Sequence, residues 1–485
     1  MPFTPETPVV SPPVPTLARN LAVLERSRPW ALRRILDGLP AAPCPRVVVT
    51  PSGEPALRLP SGEYLDDPAD PRAAARRTVA ALSRRRDSAV LLFGFGSGYL
   101  AEEALAATPA NRAVVVAVID PGAFLAALGG RDLSSLLGEP RLLLALGDLR
   151  EILAALPRAA DAEVLVEPSL LRAAAGALAP LADMARELGA QSRSARNQRA
   201  FILDNIERNL PRIVRVPGIG ALSRTLSGGA AIITAPGPSL AGQLGLLARP
   251  ERPFLVALDT SLRALASAGV RPDLVVTVDG TPANLAKFEG VALDAPLVFS
   301  EGARPEIVAA ARAAVFACER GGLLDRAHPL FGAAGCCSSC GSVLHAALDV
   351  LLAAGARPVV LAGADLALTG GAAHAGSAAP GSAWREVAAR GGGTVATSES
   401  LWRHRRRILR RIAREPAGAV LDATAAGAAL PGVPRTDLAA WLDAAPAPAR
   451  EQRVLDLDPP RRSEAAIDEA LAAAAAKIAA ARSGE

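Results

Sequence analysis

The sequence predicts an α/β fold: two Rossmann-like parallel-sheet domains with an N-terminal cap and a helical C-terminal tail. Three observations predict it. Short apolar runs alternate with helical stretches from Ala89 to Asp365, the pattern of βαβ crossovers and of strands buried on both faces. Two of those runs, Ala89–Phe93 and Ala230–Thr234, lead directly into glycine-containing loops that open helices. Half of the 485 residues are hydrophobic, 21% are charged and the mean hydropathy is +0.25, so there is ample core and no disordered-chain composition.

The first 85 residues read as a cap, with a helical pattern over Leu17–Gly38 and short strand-like pieces at Arg46–Thr50 and Ala56–Leu59. A first βαβ domain is expected over 86–212, with strands at Ala89–Phe93, Ala113–Ile119, Arg141–Leu146 and Glu163–Glu167. Residues 170–212 read as helical connectors ending in Asn205 and Asn209, four apart and so on one face. Pro211 and Pro217 punctuate the chain there, which puts a boundary at 212. A second domain is expected over 213–430. Its strands are Ala230–Thr234, Phe254–Leu258, Leu274–Val278, Leu297–Ser300, Ala314–Ala317 and Val359–Ala362. The tail, 431–485, ends in an Ala-rich helix over Glu464–Arg482.

Composition narrows the function classes. Aromatic residues make up 3% of the chain, so Ala, Leu and Val fill the core. The basic residues number 53, yet Lys287 and Lys477 are the only lysines. A net charge of +5 is the small difference between 53 positive and 48 negative groups, mostly interspersed, and does not point to nucleic acid. Met1–Thr16 is Pro-rich and lacks a basic segment leading into an apolar one, unlike a secretory signal. No stretch reads as a membrane span. Five cysteines without disulfide-like spacing fit a reducing compartment, and the cytoplasm is the expected location.

Candidate ligand groups collect at loops. Gly94, Gly96 and Gly98 sit between the first strand and its helix, where backbone can approach a phosphate or ribose. Their spacing is not G-x-G-x-x-G, and the loop suits S-adenosylmethionine as well as a dinucleotide, or a tight structural turn. Thr234-Ala-Pro-Gly-Pro-Ser-Leu240 follows a strand and opens a helix. Gly237 gives backbone freedom, Pro238 stiffens the loop and Ser239 can cap the helix, so phosphate or ribose is its natural ligand. Asp259, Asp279 and Asp365 each end a strand on what is expected to be the carboxyl edge, where open α/β sheets bind ligands. Asp273 enters its strand from the other end and reads as structural. Thr260 follows Asp259.

Gly335–Ser342 is rich in small residues and opens a helix, with Ser342 placed to contact a ligand. Cys337 and Cys340 form C-x-x-C with no second pair, so no metal site is expected. His374, in a glycine-flanked stretch beyond Asp365, is the candidate general base; His345 reads as core. Seven arginines fall within Trp402–Arg414, either a solvated basic helix or a clamp for an acidic ligand.

In order along the chain, Ala230–Leu240, Val256-Ala-Leu-Asp-Thr260, Gly269-Val-Arg-Pro-Asp273, Val276-Thr-Val-Asp279, Gly341-Ser-Val-Leu-His345 and Gly363-Ala-Asp-Leu-Ala367, with His374 downstream, form a set. It resembles the motility accessory factor (Maf) flagellin glycosyltransferases and the related archaeal 6-hydroxymethylpterin diphosphokinases. Phe93–Tyr99, Asn205-Ile-Glu-Arg-Asn-Leu210 and Asp422–Gly427 resemble the flanks of the longer Maf arrangement. The chain departs from that pattern at Pro236, where a small residue or glycine is usual, at Asp120, where glutamate is commoner, and in the cysteine-rich 335–341 segment.

The resemblance implies transfer of a pseudaminic- or legionaminic-type nonulosonic acid from its CMP-activated form to Ser or Thr of flagellin, with no cofactor. It implies that Gly237, Pro238 and Ser239 hold CMP and that Asp259, Thr260 and Asp279 line the sugar-nucleotide pocket. Ser342, Asp365 and His374 would surround the reacting centre. The alternatives are a pterin diphosphokinase using ATP and Mg²⁺ held by Asp279 and Asp365, a non-catalytic flagellin-binding scaffold, and a methyltransferase using the Gly94–Gly98 loop.

Overall fold

The structure is a computed structural model that describes residues 14–37, 44–80, 82, 90–118, 120–146, 163–166, 169, 201–333, 335–339, 341–372, 385–444, 454–455, 457–458 and 460–483. The chain divides into two units, Met1–Asn197 and Gln198–Ser483. The connecting helix, described over 201–213, packs with the second unit although the punctuation at Pro211 reads as a boundary after it. The reason is its side chains: Leu203, Ile206, Leu210 and Ile213 join the second core.

In the first unit, β1 (Arg46–Val49) and β2 (Pro55–Arg58) form an antiparallel hairpin. The sheet proper is parallel, with β3 (Val90–Phe93), β4 (Val114–Val118), β5 (Leu142–Leu146) and β6 (Glu163–Val166) in the order β5-β4-β3-β6. The strands are nearly continuous in Val and Leu because a parallel sheet is covered on both faces. Helices Val14–Ser27 and Pro29–Asp37 pack through Leu24, Ala31 and Ile35 into this unit's core. Asp120 N-caps the helix Pro121–Gly130, accepting from the Ala123 N–H at 3.1 Å.

The second unit is built on an eight-stranded parallel sheet. Its strands are β7 (Ala231–Thr234), β8 (Phe254–Leu258), β9 (Leu274–Thr277), β10 (Leu297–Ser300), β11 (Ala314–Glu319), β12 (Cys336–Cys337), β13 (Val359–Ala362) and β16 (Val420–Asp422). Their order is β12-β11-β10-β9-β8-β7-β13-β16. The chain thus winds outward from β7 to β12, then returns to the other side of β7 to lay down β13 and β16. A separate hairpin, β14 (Arg385–Ala388) with β15 (Thr394–Thr397), lies between β13 and β16 in sequence.

Alternation along the strands divides two cores. Ile232, Leu255, Ala257, Val275 and Phe299 face the connecting helix and the C-terminal helix Glu464–Ser483. Ala231, Ile233, Val256, Leu258 and Val276 face the helix Val343–Ala353. Asn205 and Asn209 anchor the connecting helix to the carboxyl edge. The Asn205 amide donates to the carbonyls of Gly280 (2.9 Å) and Gly302 (3.1 Å), and the Asn209 amide to those of Glu301 (3.2 Å) and Ala303 (2.8 Å).

Among the described residues no helix is long and apolar enough to cross a membrane.

Candidate functional site

The strand order reverses between β7 and β13, and at such a point loops diverge to opposite faces and leave a crevice at the carboxyl ends of the strands. The loop after β7 carries Gly237, Pro238 and Ser239; the loop after β13 carries Asp365. The structure brings these four together. The Gly237 N–H donates to the Gly363 carbonyl at 2.7 Å. The Asp365 carboxylate accepts from both the Ser239 hydroxyl and, at 3.2 Å, the Ser239 N–H. A Cβ on residue 237 would lie 2.3 Å from Asp365 Oδ1 and 2.4 Å from the Gly363 carbonyl oxygen, so only glycine permits this approach. Gly427, at φ +93, seats against the Asp365 backbone in the same way.

Buried groups hold this seat from below. Arg390 pairs with Asp422 at 2.6 Å and donates to the carbonyls of Ala364 (3.0 Å), Asp365 (3.3 Å) and Ala426 (2.8 Å). Gln243 bridges the Ala423 carbonyl (2.6 Å) and the Gly363 N–H (3.1 Å), and the Thr424 hydroxyl accepts from the Ala364 N–H at 3.1 Å. Burial pushes the Asp365 carboxyl up, and the Ser239 donors oppose that. Asp365 is thus the latch of the Ser239 loop.

One and two strands further along the edge, Asp259 and Asp279 make a second group. Lys287, on the 3-10 turn Pro282–Lys287, lies 3.1 Å from Asp279 Oδ2 and 3.8 Å from Asp259 Oδ2. The Asn284 amide donates to the Thr277 hydroxyl (3.0 Å) and the Asp279 carbonyl (2.8 Å); that hydroxyl donates to Asp259 Oδ2 (2.9 Å). This relay fixes the Asn284 amide and turns its Oδ1 away. Three buried polar atoms here have no partner: Asp259 Oδ1, Asn284 Oδ1 and Thr260 Oγ1. Such atoms are costly unless a ligand or water satisfies them. Burial raises the Asp259 carboxyl, with Lys287 acting against it. Asp279 is part-exposed and also accepts from the Thr281 N–H at 2.9 Å.

Asp279 and Asp365 are not neighbours. β9 and β13 are separated by β8 and β7, three strand spacings or about 14 Å. The two carboxylates therefore do not form one Mg²⁺ site, and the nearer acid pair, Asp259 with Asp279, already shares Lys287. Asp273 is structural: it pairs with Arg252 at 2.5 Å and accepts from the Leu255 N–H at 2.7 Å.

Ser342 is buried at the N-cap of the helix Val343–Ala353, and its side chain does not cap that helix. His345, one turn in, has an unpartnered Nδ1 and is lowered to about 4 by burial. His374 lies outside the described residues. The arginine-rich segment forms the helix Glu399–Ile412, and it is partly built in. Arg411 pairs with Asp349 (2.6 Å) and Glu415 (2.5 Å), Arg405 donates to the Ala429 carbonyl (2.7 Å), and Arg406 stacks over Trp402.

In the first unit the Gly94–Gly98 loop has an internal occupant. Asp66 accepts from the Ser97 N–H (2.8 Å), the Ser97 hydroxyl (2.6 Å) and the Leu57 N–H (2.9 Å), and it fills the space that a Cβ on Gly96 would take.

Lys287, Asn284, Arg390 and Asp66 escaped the sequence reading. Lys287 had a signal: it is one of two lysines in a chain that otherwise uses arginine.

Residues 204–371 match the model of a protein family. The matching family is described as 6-hydroxymethylpterin diphosphokinase MptE-like, and the match runs from the connecting helix through the Asp365 loop. The matched segment thus contains the Ser239 loop, the Asp259–Lys287 group and Ser342, while Arg390 and the arginine-rich helix lie beyond it. The MAf glycosyltransferase from Magnetospirillum magneticum AMB-1 is similar in structure at 17% identity, covering 96% of this chain and 78% of that one, with a TM-score of 0.47. No curated protein matches the chain.

Proposed function

We propose that the MptE-like domain is a glycosyltransferase that moves a nonulosonic acid from a CMP-sugar to a protein hydroxyl, flagellin Ser or Thr being the acceptor the motif resemblance implies. The observation that carries this reading is the set of unpartnered buried atoms on Asp259, Asn284 and Thr260, beside a lysine and one strand from the Ser239 loop. Two acceptors and a hydroxyl suit a ligand rich in O–H and N–H donors, and a lysine suits its phosphate. A nucleotide-sugar has both.

In the transfer, the acceptor oxygen bonds to the anomeric carbon as that carbon's bond to the CMP phosphate oxygen breaks. The acceptor proton passes to a general base, for which His374 is the candidate. Lys287 would offset the charge on the departing CMP. Ser342, at the uncapped start of its helix, adds the positive end of a helix dipole. Arg390 and Asp365 act by holding the loop.

The family description favours a second reading, pyrophosphoryl transfer from ATP to a pterin alcohol. Its metal would need carboxylates other than the separated Asp279 and Asp365, and Lys287 already occupies the Asp259–Asp279 pair.

Thermal unfolding of the full chain with CMP, CTP, ATP plus Mg²⁺, or S-adenosylmethionine separates the readings. A ligand at about 100 times its dissociation constant adds about 2.7 kcal/mol. Cytidine nucleotides should stabilise the chain without metal, and Ser239→Ala should abolish the shift. Stabilisation by ATP plus Mg²⁺ alone would overturn the transferase in favour of the kinase.

A further inference from the structure

At the far end of the same sheet edge, β11 and β12 pair with Cys318 opposite Cys336. Parallel neighbours in register point to one face, and both thiols lie on the side of the first core, while Cys337 turns into the other. Asp325, from the connection between the two strands, completes a cluster in which one atom each of Cys318, Asp325 and Cys336 lies within 4.8 Å of the others. The Cys336 thiol donates to Asp325 Oδ1 at 3.4 Å, and Asp325 Oδ2 accepts from the Gly321 N–H at 2.7 Å, which orients the carboxylate.

A buried carboxyl also acts on this cluster. Glu301, at the end of β10, is buried, with Oε1 accepting from the Leu323 N–H at 3.0 Å and Oε2 without any partner. Its charge is the largest influence after burial on the Cys318 thiol, and Asp325 acts on Glu301 in turn. Glu319 adds a third carboxyl beside them. The cation acting on this group is Arg320, whose guanidinium donates to the Cys336 carbonyl at 3.1 Å. The cluster is therefore rich in groups that become anionic.

We infer that Cys318, Cys336 and Asp325 form a binding site for a thiophilic divalent cation of the zinc class, with a solvent molecule as the fourth donor. Two thiols, a carboxylate and a water are a donor set that zinc accepts, with metal–sulfur bonds of about 2.3 Å and metal–oxygen bonds of about 2.0–2.2 Å in a tetrahedron. Binding releases the two thiol protons to solvent and replaces the Cys336–Asp325 hydrogen bond with two metal bonds. The ion would pin the two-residue edge strand β12 and the 320–333 connection to the sheet. These are not the cysteines of the C-x-x-C spacing: Cys337 faces away, and Cys340 lies outside the described residues.

The test is a titration of the reduced full-length chain with Co²⁺, followed by displacement with Zn²⁺. One equivalent of Co²⁺ should produce a thiolate-to-cobalt band in the near ultraviolet and the intense visible bands of a tetrahedral site. Zn²⁺ should abolish those bands and raise the unfolding temperature. Cys336→Ser, which takes away one of the two sulfur ligands, should cut the thiolate band sharply, and Asp325→Asn, which keeps the side-chain shape, should weaken Co²⁺ binding by more than roughly tenfold. Cys44→Ser and Cys340→Ser should bind as the parent does. No thiolate band in the reduced chain, or a band that survives Cys336→Ser unchanged, would overturn the site.

Discussion

Lys287 shows how much one side chain decides at this edge. The Asp259 carboxyl is fully buried, and the cation that faces it and Asp279 is this lysine. Lys287→Met keeps the length and removes the charge. It should destabilise the second unit by roughly 1–3 kcal/mol, the cost of a buried polar group left unsatisfied, and weaken CMP binding at least tenfold. Paired calorimetric titrations and urea unfolding of parent and variant measure both; unchanged CMP affinity would remove Lys287 from the phosphate site. The two acids were legible because each ends an apolar run, and a strand end is a local property of sequence. Lys287 and Asn284 reach them from a 3-10 turn whose path depends on packing, which no periodicity encodes. Asp365 was legible by position, but its engagement with Ser239 depends on which strands lie side by side.

At the scale of single elements, a loop can look like a ligand site and be a closed joint. The glycines at 94, 96 and 98 all take positive φ, yet Asp66 from the cap already uses the donors around Ser97. Burial raises this carboxyl, and its three hydrogen bonds oppose the shift. Asp66→Asn preserves the volume but turns one acceptor into a donor facing N–H groups, and should destabilise the first unit by roughly 1–3 kcal/mol. A midpoint of urea unfolding identical to the parent's would show that Asp66 does not hold the loop. The helices Val343–Ala353 and Glu399–Ile412 carry a second element-scale effect. Burial lowers both His345 and His404 to about 4. Arg407 acts against protonation of both; Arg411 and Arg414 also oppose it at His345, and Arg403 at His404, while Asp349 favours it at His345. Because the folded values lie below the unfolded value of about 6.5, the unfolded chain binds more protons in between. The stabilisation is complete above about pH 6.5 and is lost as pH falls toward 4. Glu301 and Glu319, which burial raises to about 8 and about 7, act in the opposite sense over this range, so the histidine part is read by difference: from pH 7 to 4 the urea midpoint of the double variant His345→Gln with His404→Gln should gain on the parent's, and a constant difference would refute the assignment.

For the whole molecule, the two-sheet α/β architecture was legible because parallel strands are continuous apolar runs, and most strands lie within a residue or two of where the runs place them. The strand order was not, since local pattern does not say that β13 returns to β7 rather than extending past β12. β12, with two residues, and β14 and β15, with polar exposed positions, are too short or too mixed to register as runs. That return of the chain has a kinetic consequence. Ser239 and its latch Asp365 are 126 residues apart, and β7 gains its second neighbour only when Val359–Ala362 pairs with it. Pairings so distant in sequence close late, after the loop entropy between them has been overcome. A nascent chain that has emerged only as far as β12 already contains every residue of the Ser239 loop and of the Asp259–Lys287 group, yet lacks the strand against which the loop is set. The set position of the Ser239 loop would therefore arrive with the last strands synthesised, as a property of the finished sheet.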